Sequence, residues 1–267
     1  MRQTSNNPAL TRIPAFAGAN KTVGFGDRPA PTADPIEQGY FGPDATSRDT
    51  GRMTIEDVTV RLAILLGIAV VTGAATWVLG LEALAIPAAI IGMILGLVIS
   101  FKQITNPAPI IAYAAIEGVF LGGISKLFES AYPGIAVQAV LGTAGVAGGA
   151  LYLYRSGKVK VTPKFTKMIL AGLIGFLALA VTNLVAGFFI DGGLGLRDGG
   201  PLAIGFSLLA IGLASMVLII DFDYVDKGAK AGLPERYGWL AAFGLMVTLV
   251  WLYIEILRLL SYLRGDN

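Results

Sequence analysis

The chain divides into a polar amino-terminal segment and a series of long apolar runs. Residues 1–53 hold no apolar run long enough for a helix, and from residue 54 onward the apolar runs are interrupted only briefly. Seven runs approach or exceed the roughly 20 residues that a helix needs to cross about 30 Å of hydrocarbon. They cover about 58–80, 83–101, 107–128, 134–155, 164–190, 201–222 and 237–263. Because a strand period of two is absent, the pattern predicts an all-α polytopic membrane protein, a bundle of seven transmembrane helices.

Polar and proline signals mark where these helices begin. The segment Thr54-Ile55-Glu56-Asp57 resembles a capping box and predicts the start of the first helix. Proline is favoured in the first turn of a helix, where its missing N–H costs little. All the prolines beyond the first 53 residues lie at or near a proposed helix start, namely Pro87, Pro107, Pro109, Pro133, Pro163, Pro201 and Pro234.

The composition of the first 53 residues differs from that of the transmembrane runs. They are rich in Pro, Gly, Asn, Ser, Thr and Asp, and their basic and acidic residues are interspersed. Such a segment cannot bury enough apolar surface to offset the entropy of ordering, so we expect a disordered tail. A basic region followed by an apolar run is absent there, which argues against a signal peptide. The predicted domains are therefore the tail, 1–53, and the transmembrane bundle, 54–267.

Composition narrows the function classes. Hydrophobic residues make up 55% and charged residues 14%, against about 45–50% and 25% in soluble domains, and the mean hydropathy is +0.70. These values exclude a nucleic-acid-binding domain and an ordinary soluble enzyme. Histidine and cysteine are both absent, which excludes Ser-His-Asp, Cys-His and HExxH chemistry. We therefore expect no enzyme, no resident cofactor and no nucleic-acid partner. A proton response near neutral pH would have to come from carboxylates.

The distribution of Lys and Arg predicts the orientation. Basic residues crowd the start of the first helix and every second connection, whereas the alternate connections hold only Lys126 and Arg197. By the positive-inside rule, the amino terminus lies in the cytoplasm and the odd number of helices places the carboxyl terminus outside. The expected location is the cell membrane, with several passes through the bilayer.

Glycine pairs predict close helix packing. Gly92/Gly96 and Gly118/Gly122 have GxxxG spacing, which lets helix backbones approach closely in lipid. The fourth helix carries a further group of glycines, which pack against a neighbour or line a pore: Gly142, Gly145, Gly148 and Gly149.

Ionisable residues inside the apolar runs are the functional candidates, because each costs roughly 2.5–3.5 kcal/mol to insert near the bilayer centre. Glu117 lies midway along the third run. Asp221 and Asp223 end the sixth run and project about 200° apart on a helix. Glu255 and Arg258 lie in the seventh run and can pair at i, i+3 spacing. Asn183 and Gln138 are weaker candidates.

Counting residues from the turn between the sixth and seventh helices predicts a contact. Asp221 lies about 12 residues before Leu233–Pro234 and Thr248 about 14 after it. At about 1.5 Å per residue the two side chains reach a similar depth and can meet across the hairpin. Glu255 lies two turns further along, roughly 10 Å deeper.

Three segments carry a resemblance to a known family. They are AAIEGVFLG at 114–122, LIIDFDYV at 218–225 and GLMVTL at 244–249. With seven apolar runs and short connections, the chain resembles the Bax inhibitor-1 family (transmembrane Bax inhibitor motif, YccA-like) over about residues 55–264, as a bacterial-type member with a disordered tail.

The resemblance implies a seven-helix bundle with a central last helix and a pH-sensitive calcium leak. In that family a pair of aspartates from helices six and seven, near the cytoplasmic side, shares a proton. Asp221 matches the helix-six aspartate. The helix-seven aspartate is replaced by Thr248 in gap-free register, or by Glu255 if the register shifts.

Two functions follow as hypotheses. The first is a calcium or cation leak with Asp221, Asp223, Glu117, Glu255, Thr248 and Arg258 as pathway or proton-sensing candidates. The second is a non-conducting regulator that binds other membrane proteins and modulates their stability or turnover. Calcium would be bound only transiently, because tight calcium sites need about six to eight oxygen ligands and the carboxylates are dispersed. An intramembrane enzyme is disfavoured, since the seven apolar runs contain no GxGD motif.

Overall fold

Seven long helices make up most of the described chain. The computed structural model describes residues 51–265, so the predicted tail lies, up to residue 50, outside the described residues. The helices are α1 (Ile55–Leu79), α2 (Ala85–Lys102, preceded by a 3₁₀ turn at Glu82–Leu84), α3 (Pro107–Ala131), α4 (Ile135–Arg155), α5 (Pro163–Ala186), α6 (Pro201–Lys230) and α7 (Tyr237–Gly265). Each is long and apolar enough to cross a membrane, α2 together with its 3₁₀ turn. The predicted all-α, seven-helix membrane fold is confirmed.

The residues predicted to start helices cap or begin them in the structure. The Thr54 hydroxyl accepts the backbone N–H of Asp57 at 3.1 Å and caps α1. Pro107, Pro163 and Pro201 are each the first residue of a helix. Polar caps precede the first two of these prolines, because Asn106 and Thr162 accept backbone N–H groups of α3 and α5.

Two helix ends differ from the apolar runs. Helix α5 ends at Ala186, although the apolar run continues to 190, because the chain turns at Gly187 into a glycine-rich connection. Helix α6 continues about two turns beyond the apolar run, to Lys230. Its added turns are stabilised by two i, i+4 ion pairs, Asp223–Lys227 and Asp226–Lys230.

Helix α7 lies at the centre of the bundle, as the family resemblance implies. Two thirds of its most apolar stretch is buried, compared with about a fifth in α1 and less in α5. It packs against α1, α3, α4 and α6. Its buried residues join the core at several depths, among them Phe243, Met246, Val250, Leu252 and Leu257.

Glycines bring α1 and α3 into close contact. A Cβ atom at Gly118 would collide with the α1 backbone at Ala69, and one at Gly122 would collide with Gly73. The predicted packing role of this glycine pair is confirmed. The glycines of α4 fall into two groups. Gly142 packs on Ile256, whereas a Cβ at Gly145, Gly148 or Gly149 would meet nothing within 4 Å. Packing within the chain therefore does not explain those three.

The two ends of the bundle carry different connections. At one end, which we call the basic end, the α6–α7 turn pairs with the residues before α1, since Met53 N–H donates to Leu233 C=O at 2.7 Å and Glu235 N–H donates to Gly51 C=O at 3.0 Å. Tyr154 at the end of α4 reaches Asp226 there. The opposite end holds the α1–α2, α3–α4 and α5–α6 connections.

Candidate functional site

Asp221 and Thr248 meet across the α6–α7 hairpin. The Thr248 hydroxyl donates to Asp221 Oδ2 at 2.6 Å. The hydroxyl oxygen of Thr248, and not Asp221, also makes a 3.2 Å contact with the carbonyl of Gly244, one turn earlier. Thr248 is 5% exposed and Asp221 is half-buried. The contact that follows from counting residues along the hairpin is confirmed, so Thr248, and not Glu255, lies beside Asp221.

A cavity of about 280 Å³ borders Asp221 at the basic end of the bundle. Helices α2, α6 and α7 form its walls, and the sequence alone gave no reason to connect them. The lining residues are Ser100, Gln103, Asp221, Tyr224, Leu240, Ala241, Phe243 and Gly244. Polar groups and one carboxylate therefore line a space that is open to the outside of the bundle, since Ser100, Gln103 and Tyr224 are exposed.

The carboxyl end of α2 contributes a second source of negative potential to this cavity. Gln103 adopts a left-handed conformation at φ 50°, which ends the helix, and its side-chain amide donates to the Ser100 carbonyl at 2.6 Å. The last carbonyls of a helix carry partial negative charge. Together with Asp221 they make the cavity attractive to a cation and unattractive to an anion.

Asp223 lies away from this pair. Its carboxylate binds Lys227 at 2.6 Å, one turn later on the exposed side of α6. Asp226 repeats the pattern with Lys230 at 2.6 Å and also accepts the Tyr154 hydroxyl at 3.2 Å. These contacts fit the ordinary role of acidic residues at the polar end of a helix.

Glu117 is buried in the interior of the bundle, on α3. It is 7% exposed, and its carboxyl interacts with the hydroxyl of Tyr113, one turn earlier. Gly92 of α2 provides the space, because a Cβ there would lie 2.8 Å from Glu117 Oε2. The glycine pair Gly92/Gly96 thus accommodates a polar side chain in addition to packing two helices.

Glu255 and Arg258 pair near the opposite end of the bundle. Arg258 Nη1 donates to Glu255 Oε1 at 2.8 Å, which confirms the predicted i, i+3 pair. Within residues 51–265, the second oxygen of Glu255 has no hydrogen-bond partner although it is buried. Arg197 lies in the α5–α6 connection near this pair. Its pKa is lowered, mainly because the side chain is partly buried and then because of the positive charge of Arg258.

The carboxylates thus lie apart from one another, and in the described part of the chain no three Asp, Glu, His or Cys side chains group closely enough to hold a metal ion. The sequence profile described as Bax inhibitor 1 like matches residues 7–265. The chain belongs to the Bax inhibitor 1 like family. A comparison with curated proteins gives no match.

In this Bax inhibitor 1 like protein the two weaker candidates hold connections in place. Asn183 Oδ1 accepts the backbone N–H of Leu194 at 2.9 Å and thereby fixes the α5–α6 connection. Gln138 Oε1 accepts Arg264 Nη2 at 2.8 Å near the start of α4. Neither contact places the side chain beside Asp221 or Glu117.

Sequence reasoning missed a partly buried ion pair at the basic end. Arg61 of α1 is 8% exposed and donates to both the carboxylate and the backbone carbonyl of Glu235, in the α6–α7 turn. Its guanidinium also lies over the Trp239 ring, 5.3 Å from the ring centre. Gly238 leaves room for it. The signal in the sequence is an arginine in the second turn of an apolar helix, which we used only for orientation.

Proposed function

We propose that this member of the Bax inhibitor 1 like family is a pH-sensitive leak for calcium or another small cation, with Asp221 on the pathway. The observation that supports this function is the Asp221–Thr248 pair beside a cavity with polar lining. A carboxylate inside a transmembrane bundle costs free energy to insert, which makes it a functional candidate by default, and here it borders a space that a cation can occupy.

The arrangement suits passage better than tight binding. Conduction requires sites that attract an ion yet release it. Asp221, Glu117 and Glu255 lie on different helices or at different depths, so a cation would meet one carboxylate at a time. Calcium or another small cation is the transported ion in this proposal, and no resident cofactor and no catalytic residue are assigned.

We also propose the orientation that the basic residues predict. The cell membrane is the location, the basic end and the amino terminus face the cytoplasm, and the carboxyl terminus faces outward. The Asp221 cavity would then open toward the cytoplasm.

Proton uptake by Asp221 would make the leak pH-sensitive. An ionised carboxylate attracts a cation and a protonated one does not. The groups that face it are neutral, namely the hydroxyl of Thr248 and the lining residues Ser100, Gln103 and Tyr224. Because Thr248 replaces the second aspartate that the family resemblance implies, a single carboxylate would carry the response.

The experiment is calcium flux into liposomes that contain the purified protein, at pH 6 and pH 8. We expect a larger flux at pH 8 for the wild-type protein. Asp221→Asn should reduce the flux at pH 8 and remove the part of its pH dependence that Asp221 contributes, because an amide does not ionise. The matched control is Asp226→Asn, an aspartate on the same helix whose partners are Lys230 and Tyr154.

Two results would contradict the leak. One is the absence of flux from protein that elutes as a folded, monodisperse species. The other is an Asp221→Asn variant whose flux and pH dependence equal those of the wild-type protein.

A second candidate function is a non-conducting regulator that binds another membrane protein. The observation that favours it is the glycine face of α4, since Gly145, Gly148 and Gly149 are exposed and have open space beside them. Small residues let a partner helix approach closely in lipid. Gly148→Cys, in a chain without cysteine, would allow thiol crosslinking in native membranes. A specific crosslinked protein together with no ion flux would favour this function.

A further inference from the structure

The Asp221 cavity ends at an aromatic side chain of α7. Phe243 lines the cavity and is 3% exposed. On its other side the ring meets Tyr113 of α3, with ring centres 4.9 Å apart and planes at 74°. This edge-to-face arrangement is the one that aromatic pairs prefer. We call Tyr113 and Phe243 the aromatic pair.

Tyr113 in turn leads to Glu117. Its hydroxyl interacts with the Glu117 carboxyl, one turn further along α3. Its ring lies against α2 at Gly96, where a Cβ would come within 3.1 Å of the ring. The ring is therefore held between the α2 backbone and Phe243. Pairwise contacts therefore connect the Asp221 cavity to Phe243, Phe243 to Tyr113, and Tyr113 to Glu117.

We infer that the aromatic pair is the barrier that separates the Asp221 cavity from the Glu117 carboxyl, and that a cation reaches Glu117 only when the Phe243 ring moves aside. This inference rests on the proposed function for its role in conduction. The physical basis is that two packed rings lie in the chain of contacts from the cavity to Glu117, and apolar constrictions in a pathway block ions by excluding water. Both rings are nearly fully buried, at 5% and 3% exposed.

The neighbouring residue on α7 marks the cavity side of the barrier. Gly244 lines the cavity, and a Cβ there would meet nothing within 4 Å. A side chain introduced at Gly244 therefore projects into open space, whereas one at Glu117 lies beyond the aromatic pair. The two positions allow the barrier to be probed from both sides.

Thiol labelling tests the barrier without relying on conduction. The chain has no cysteine, so Gly244→Cys and Glu117→Cys each create a single reactive thiol. The probe is a small, positively charged methanethiosulfonate added to the side on which the basic end lies. We expect Gly244→Cys to be labelled at least about tenfold faster than Glu117→Cys. Adding Phe243→Ala should raise the Glu117→Cys rate by about tenfold or more.

The matched control is a second buried aromatic pair. Phe206 of α6 stacks on Phe176 of α5 with ring centres 4.5 Å apart and is 6% exposed. Phe206→Ala creates a comparable void away from the aromatic pair, so it should leave the Glu117→Cys rate unchanged. If Phe243→Ala does not fold, Phe243→Leu removes the ring with a smaller loss of volume and should give the same increase.

The outcomes separate this inference from the proposed leak. Equal labelling of Gly244→Cys and Glu117→Cys in the wild-type background would overturn the barrier. So would an equal acceleration by Phe243→Ala and Phe206→Ala, which would indicate general loosening. In the flux assay, Phe243→Ala should increase a leak that still requires Asp221. If the labelling pattern is as expected but neither the wild-type protein nor Phe243→Ala conducts, the barrier is supported and the proposed leak is contradicted.

Discussion

At the scale of single residues, the hydroxyl of Thr248 matters because it donates a hydrogen bond to a half-buried carboxylate. Thr248→Val keeps the shape of the side chain and removes the donor to Asp221 Oδ2. Losing a hydrogen bond to a charged group inside a protein costs about 1–3 kcal/mol. We expect that loss in the free energy of unfolding, measured by thermal unfolding in detergent at pH 8.

Thr76 provides the control for this prediction. It is 2% exposed, and its hydroxyl donates only to a carbonyl of its own helix, Thr72 C=O at 2.9 Å. Thr76→Val should therefore change the stability by less than about 1 kcal/mol, because that carbonyl is already bonded within α1. If the two variants were equally stable, the Asp221–Thr248 hydrogen bond would contribute little.

At this scale, the sequence predicted the side-chain contacts that depend only on regular helix geometry. The Asp221–Thr248 contact follows from the rise per residue along a hairpin, and the Glu255–Arg258 pair from i, i+3 spacing. The cavity could not be predicted, since Ser100 and Gln103 come from the end of a helix that is distant in sequence. Nor could the relation of Gly92 to Glu117, because it depends on the rotation of α2 against α3.

At the scale of helices, the contact between α1 and α3 depends on backbone approach at glycine. Gly122→Ala should destabilise the protein by about 2 kcal/mol or more, because its Cβ would collide with the backbone of Gly73, which cannot rotate away. Gly145→Ala is the control, since its Cβ meets nothing within 4 Å. Alanine favours helix over glycine by up to about 1 kcal/mol, so the control should be neutral or stabilised.

Thermal unfolding of both variants, with the fraction of monodisperse protein after purification, measures this difference. A Gly122→Ala variant as stable as the wild-type protein would mean that α1 and α3 lie further apart than described.

Helix starts were easier to predict than helix ends. Threonine caps and prolines act locally, so the helix starts predicted at Thr54, Pro107 and Pro201 agree with the structure. Helix ends depend on longer-range effects. Helix α6 outlasts its apolar run through Asp–Lys pairs, and α5 stops early because Asn183 binds the following connection.

At the scale of the whole molecule, the central position of α7 explains why the candidate residues collect on it and its neighbours. Asp221, Glu117 and Arg61 belong to α6, α3 and α1, three helices that pack against α7. The family resemblance implied that position, but the hydrophobic pattern could not, because all seven runs are similarly apolar. The Arg61–Glu235 pair joins residues 174 positions apart, a separation at which spacing carries no information.

The orientation of the molecule is the remaining prediction, and the absence of cysteine makes it directly testable. The connection that follows α4 is rich in lysine, and the connection that follows α5 is poor in basic residues. By the positive-inside rule the first should face the cytoplasm. Lys158→Cys and Gly192→Cys lie in these two connections and are both exposed. In intact cells, a membrane-impermeant maleimide should label Gly192→Cys and leave Lys158→Cys unlabelled until the cells are permeabilised. The cysteine-free chain is the control for background. The reverse pattern would place the basic end, and with it the Asp221 cavity, on the outer side of the membrane, where a cytoplasmic proton could not reach Asp221 without first crossing the bundle.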